Sequence, residues 1–139
     1  MRHVFNTNND YASTAVELPF MLRKGFNKLY KQGRTKDYPE LAIDILGVLI
    51  CKTQKINQQN ADCNPIKWYE SSTRDLAEKV GEHQTTIQRN ISWLHEKGWI
   101  KNLQYGVEDG RKTLYVLNVE KINDLIMEYR YKDNNGFNY

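Results

Sequence analysis

Apolar residues recur at helical spacing along most of this chain, and in two short stretches the pattern switches to that of strands. From Glu17 to Gln32, Leu22, Phe26 and Leu29 fall at i, i+4 and i+7, which predicts an amphipathic helix. Lys24, Lys28 and Lys31 repeat the same spacing on another face. "GRTKD" reads as a loop, and Pro39 suits the first turn of a second helix running to about Thr53. Leu41, Ile45, Leu46, Leu49 and Ile50 cover most of that helix's circumference, so it is expected at the centre of the core. "KINQQNADCNPIKW" then reads as a polar connector with a turn at Asn64-Pro65, and Lys67–Glu70 as a short extended piece.

Two short helices follow in close succession. Ser71 or Ser72 can cap the first, and Asp75 favours its N-terminal dipole. Leu76, Ala77 and Val80 supply its apolar side, and Gly81 ends it. The second spans roughly His83 to Lys97, with Ile87, Ile91 and Leu94 facing inward and Gly98 as its stop. Trp99–Tyr105 and Thr113–Leu117 read as strands around the hairpin signal Asp109-Gly110, with Ile100 and Leu103 on the buried side. Val119 to about Arg130 is a last helix carrying Ile122, Leu125, Ile126 and Tyr129. Its apolar face serves either the core or a homodimer contact. Residues 1–15 form a polar, Asn-rich arm and 132–139 a frayed tail, leaving one domain over 16–131.

A helix stopped by glycine and restarted within a few residues makes a sharp corner, so the first helix braces the second and leaves one face exposed. "RDLAEKVGEHQTTIQRNISWLHEKGWI" followed by "EDGRKTLYVL" resembles a winged helix–turn–helix DNA-binding domain. Leu76-Ala77, Gly81, Thr86-Ile87, Leu94 and Lys97-Gly98-Trp99-Ile100 carry the resemblance in order and spacing. The upstream helix "PELAIDILGVLICKT", leading into "WYESSTRDLA", is similar to the N-terminal domains of plasmid and phage replication initiators. The resemblance implies a mainly α fold with a small β-hairpin wing. It also implies double-stranded DNA as the partner, with further contacts to replication proteins. Two positions depart from the pattern. Glu82 and His83 stand where relatives carry an apolar residue and a capping Ser, and Arg89 is a lone cation where relatives have several.

On the second helix Gln84, Thr85, Gln88, Arg89 and Ser92 lie away from the apolar stripe. Such side chains suit base edges: Gln pairs with adenine and Arg with guanine in the major groove. Thr73, Arg74 and Thr86 are candidates for phosphate contact near helix N-termini, and Arg111 and Lys112 for backbone or minor-groove contact from the wing tip. Trp68, Trp93 and Trp99 are expected to pack rather than to stack on bases. Trp93, being off the apolar stripe, would pack under the wing or join a dimer contact.

Charge sharpens the picture. The formal net charge is only +3, but Met21–Lys36 holds six cations (Arg23, Lys24, Lys28, Lys31, Arg34, Lys36) and no acid. Lys24, Lys28 and Lys31 would widen an electrostatic footprint and make binding salt-dependent. The two cysteines, Cys51 and Cys63, make no disulfide framework. "MRHVFNTNNDYAST" lacks the apolar core of a signal peptide, and no apolar run is long enough to span a membrane, so a cytoplasmic, nucleoid-associated protein is expected. His3, His83 and His95 are scattered, and there is neither a glycine-rich phosphate loop nor a metal-ligand cluster, so no enzyme activity, metal or cofactor is expected. Three functions stay open: origin binding by a replication initiator, transcriptional regulation, and a winged-helix module that binds protein instead of DNA.

Overall fold

The computed structural model describes residues 11–105 and 112–127. Helix α1 spans Tyr11–Tyr30, a short hairpin pairs β1 (Lys31–Gln32) with β2 (Thr35–Lys36), and α2 spans Leu41–Gln59. Strand β3 (Trp68–Ser71) leads into α3 (Thr73–Val80) and α4 (Gln84–Glu96). Strands β4 (Ile100–Tyr105) and β5 (Lys112–Leu117) follow, and then helix α5 over 119–127. This is the winged helix–turn–helix layout: mainly helical, with a small antiparallel sheet.

The sheet is one strand larger than a hairpin. Its order is β3-β5-β4, both pairings antiparallel, so β3 forms an edge with Tyr69 opposite Tyr115 and Ser71 opposite Thr113. The extended piece before α3 therefore ties the wing's base to the entrance of the helix–turn–helix.

α2 occupies the centre, with Ile45, Leu46, Leu49 and Ile50 fully buried. It also continues six residues beyond Thr53, through a stretch whose polarity suggests a connector. The reason lies in where its polar groups go. Thr53 and Asn57 are buried with partners: Thr53 Oγ1 donates to Leu49 O at 2.8 Å, and Asn57 forms a two-way pair with the backbone of Ile66. Asn57 Nδ2 donates to Ile66 O at 3.0 Å, and Ile66 N donates to Asn57 Oδ1 at 2.8 Å. This side chain stands in for a strand neighbour and delivers the chain to β3.

α1 differs from expectation at both ends. It begins at Tyr11, inside the Asn-rich arm, and carries Pro19 within it. It stops at Tyr30 rather than Gln32 because Phe26 meets both Tyr30 and Tyr38 edge-on at 5.6 Å, which folds "KQGRTK" back as a hairpin instead of a loop. Leu18, Leu22 and Phe26 are buried, but Leu29 is 56 % exposed. Leu29 borders an open groove between α1 and α5, lined also by Gly25, Trp99 and Leu125.

In α5, Ile122, Leu125 and Ile126 are buried in the chain's own core. These three side chains thus serve the core, the first of the two roles expected of that face. Tyr129, Arg111, the Asp109-Gly110 turn, residues 1–10 and the tail lie outside the described residues. No described helix is long and apolar enough to cross a membrane.

The α1–α5 packing is close enough to test. A Cβ at Gly25 would lie 2.3 Å from Leu125 Cδ1. Gly25→Ala should destabilise by about 1–3 kcal/mol through overpacking. In a Leu125→Ala background the same change should instead stabilise, by up to about 1 kcal/mol of helix propensity. Denaturant unfolding of the four proteins in this cycle checks the reversal of sign.

Candidate nucleic-acid interface

The interface is built by how α3 stops and α4 starts. Ser72, in extended conformation, caps α3: its hydroxyl accepts from Asp75 N at 3.0 Å. Gly81 takes the left-handed conformation at φ 81°, and Gly81 N and Glu82 N both donate to Ala77 O. Leu76 and Ala77 seat α3 on the core. His83 occupies the cap position of α4 in extended conformation but makes no side-chain cap bond, which confirms the weak start read from the sequence.

α4 ends in a Schellman motif. Gly98 adopts φ 82°, its N–H donates to His95 O at 3.1 Å, and Trp99 N donates to Leu94 O at 2.9 Å. Three consecutive carbonyls beyond the helix are then taken by α5 and its lead-in. Lys121 Nζ donates to Lys97 O, Asn118 Nδ2 to Gly98 O, and Asn118 N to Trp99 O. The Lys121 ammonium also lies 4.5 Å from the Trp99 ring centroid, and its partial burial lowers its pKa. Neither Asn118 nor Lys121 stands out in the sequence, because the carbonyls they serve are more than a dozen residues away.

Between these ends α4 divides into two faces. Ile87, Asn90, Ile91 and Leu94 are buried. Gln84, Thr85, Gln88, Arg89 and Ser92 are all exposed, and Thr86 partly so. Asn90 is the polar member of the inner face; its Nδ2 donates to Thr86 O at 2.8 Å. Trp93 sits on the boundary. Its ring lies 5.1 Å from Tyr30 and 5.8 Å from Phe26, so it packs against α1 rather than under the wing. Trp99 is 1 % exposed, and its Nε1 donates to the Tyr30 hydroxyl at 2.9 Å. Trp68 departs from the packing expectation: on edge strand β3 it is 42 % exposed.

The remaining candidates scatter around α4. Arg74 is exposed and Thr73 half-buried in the first turn of α3. Lys112 pairs with Tyr105 at the distal end of the wing ladder. Lys24 and Lys28 are exposed on α1, but Lys28 borders the groove shared with Lys121 and Asp124, on the α5 side. Lys31, directly after Tyr30, is exposed in β1 beside the Trp93 contact. Glu40 engages two of the basic segment's cations: Lys36 Nζ donates to it at 2.5 Å, and Arg23 lies 3.8 Å away. The Lys36 hydrogen bond raises the lysine's pKa and lowers that of Glu40.

The helix–turn–helix itself carries no charge surplus. Residues 71–100 hold four cations (Arg74, Lys79, Arg89, Lys97) and four acids (Asp75, Glu78, Glu82, Glu96). Among the described residues no group of three or more His, Cys, Asp or Glu side chains could hold a metal ion. Cys51 is half-buried, its thiol pKa pushed up by burial, and Cys63 is exposed; both are free.

No protein-family model and no curated protein matches the chain. Among solved structures, one described as a possible transcriptional regulator from Methanosarcina mazei Go1 aligns with a TM-score of 0.45 at 13% identity, covering 90% of this chain and 82% of that one.

The two helix starts make opposite predictions. Ser72→Ala should cost about 1 kcal/mol by removing the α3 cap. His83→Ser should gain roughly 0.5–1 kcal/mol by supplying the bond that α4 lacks. Thermal melting of both variants checks this, with shifts of a few degrees in opposite directions.

Proposed function

We propose that this chain binds double-stranded DNA sequence-specifically, with α4 as the helix that enters the major groove. One observation carries the reading. The outward face of α4 presents Gln84, Thr85, Gln88, Arg89 and Ser92, no acid falls between Gln84 and His95, and the opposite face is anchored in the core. A helix of this length is about 20 Å long, and a groove roughly 12 Å wide admits it. Gln88 and Arg89 have the bidentate geometry that distinguishes adenine and guanine. Thr73, Arg74 and Thr86 would approach phosphates, as would Arg111 and Lys112 from the wing, while Lys24, Lys28 and Lys31 would widen the positive field.

The biological role we assign is origin binding by a replication initiator of a phage, plasmid or mobile element, with replication proteins recruited to the bound site. Support comes from the central helix and the "WYESSTRDLA" entry into the helix–turn–helix. Transcriptional regulation uses the same interface. A third reading, a winged helix that binds protein, is favoured by a separate observation: the neutral charge of residues 71–100.

Selection of bound duplexes from a random pool, followed by fluorescence anisotropy, tests the proposal. Gln88→Ala and Arg89→Ala should each weaken the selected site by about 1–3 kcal/mol, roughly ten- to a hundredfold, with little loss on unrelated DNA. Absence of any enriched sequence, with no binding at low salt, would favour the protein-binding module. Enriched repeats clustered at an origin support the initiator role; clustering at promoters supports the regulator.

A further inference from the structure

We propose that the β1–β2 hairpin is a second wing, which grips the phosphate backbone of the duplex beside α4 through Lys31 and Arg34. This rests on α4 binding DNA and adds a surface to it.

The hairpin has the build of a contact element rather than a packing element. Lys31 pairs with Lys36 and Gln32 with Thr35, across a two-residue Gly33-Arg34 turn. Gly33 at φ 60°, followed by a residue of negative φ, fits the type II′ geometry, which matches strand twist and favours Gly at its first central position. Every residue from Lys31 to Asp37 is exposed, so the hairpin contributes nothing to the core. Its root, by contrast, is held on all sides. Asp37 N donates to Tyr30 O at 2.7 Å, the Tyr38 hydroxyl donates to Asn27 Oδ1, and the Tyr30 and Tyr38 rings both pack on Phe26. A rigid stem with an exposed tip is what a groove- or backbone-contacting wing requires.

Its charge is arranged for an anion. Lys31 and Lys36 sit directly opposite each other, and like charges so placed destabilise a hairpin. Glu40 engages Lys36, but neither Lys31 nor Arg34 has an ion-pair partner among the described residues. A phosphate beside them would relieve that repulsion.

Its position fits as well. Tyr30, the residue before the hairpin, lies 5.1 Å from Trp93. Trp93 is one helical turn after Arg89 and on the same edge of α4. The hairpin's root therefore lies against the edge of α4 that carries Arg89 one turn away, and the exposed hairpin would extend from that root toward a bound duplex. The helix–turn–helix has no net charge of its own, and a basic element fixed at its flank provides the sequence-independent attraction that α4 lacks.

The test is a Lys31→Gln/Arg34→Gln double variant of the whole chain. Its thermal melt should match or slightly exceed that of the parent, since both side chains are exposed and Lys31→Gln removes the repulsion with Lys36. Binding is measured by anisotropy on the selected duplex and on an unrelated duplex, from 50 to 300 mM KCl. The expected result is a similar loss on both duplexes, about tenfold or more at the low-salt end. The slope of log affinity against log salt should also fall by about 2, one for each lost phosphate contact. A Lys31→Arg/Arg34→Lys variant should keep the parent slope. An unchanged slope in the double Gln variant, while Arg89→Ala still weakens the selected site, overturns the second wing and leaves α4 intact as the reading helix. Loss confined to the selected duplex also overturns it, because phosphate contacts do not discriminate sequence. A parent that binds no duplex overturns both proposals together.

Discussion

The candidate interface depends on a single buried corner, where Trp99 Nε1 donates to the Tyr30 hydroxyl. Trp99 is almost wholly buried, and an indole N–H taken out of water must find a partner or cost about 1–3 kcal/mol. The Tyr30 hydroxyl supplies that partner across 69 residues of chain. In doing so it fixes the end of α1 to the end of α4. Phe26 fills the space between them, its ring 5.0 Å from Trp99 and 5.8 Å from Trp93. The hairpin follows Tyr30 directly and β4 follows Trp99 directly, so aromatic packing at this corner joins the roots of both to the C-terminal half of α4.

The same corner is closed from the other side by polar contacts. A helix C-terminus leaves carbonyls without intrahelical partners, and they carry partial negative charge. Lys121 brings an ammonium to one of them while lying over the Trp99 ring, and Asn118 serves the next two as it starts α5. The amide oxygen of Asn118 accepts from Lys121 N at 3.2 Å, so one side chain caps α5 and anchors the corner. The end of α4 and the start of β4 are joined here by hydrogen bonds from Asn118 and Lys121, which gives the last helix and its lead-in a structural role.

Much of this was legible in the chain because it is local. Gly81 and Gly98 mark the two stops, and both adopt the positive φ that a side chain would resist. Ile87, Ile91 and Leu94 mark the inner face of α4 by spacing alone, and so define which polar residues face out. What spacing could not reveal are the non-local pairings. The polar run after Thr53 reads as a connector until Asn57 is seen bonded to Ile66. Leu29 reads as core by periodicity, but it borders an open groove between α1 and α5 and stays 56 % exposed. Trp93 looks out of place on the helical wheel because its partners, Phe26 and Tyr30, sit over sixty residues upstream. "KQGRTK" has no apolar side chain to signal strands; its hairpin follows from the packing of the tyrosines that flank it.

Separating attraction from reading has a physical consequence. A helix dense in Lys and Arg binds any duplex, because counterion release rewards phosphate contact without regard to sequence. If α4 reads duplex DNA as proposed, the balanced charge over 71–100 would give it little at a wrong site, and its gain at a right one would come from hydrogen bonds that require a matching base edge. The cost is a weak encounter, which a basic flank can offset without degrading discrimination if its geometry relative to α4 is fixed. Fixed geometry is what the Tyr30–Trp93–Trp99 packing provides. A flexible basic tail would supply the same charge, but it would hold α4 to a backbone in many registers. On the proposed reading, a stem whose root packs on Trp93, one turn from Arg89, would tie phosphate contact to a single register of α4.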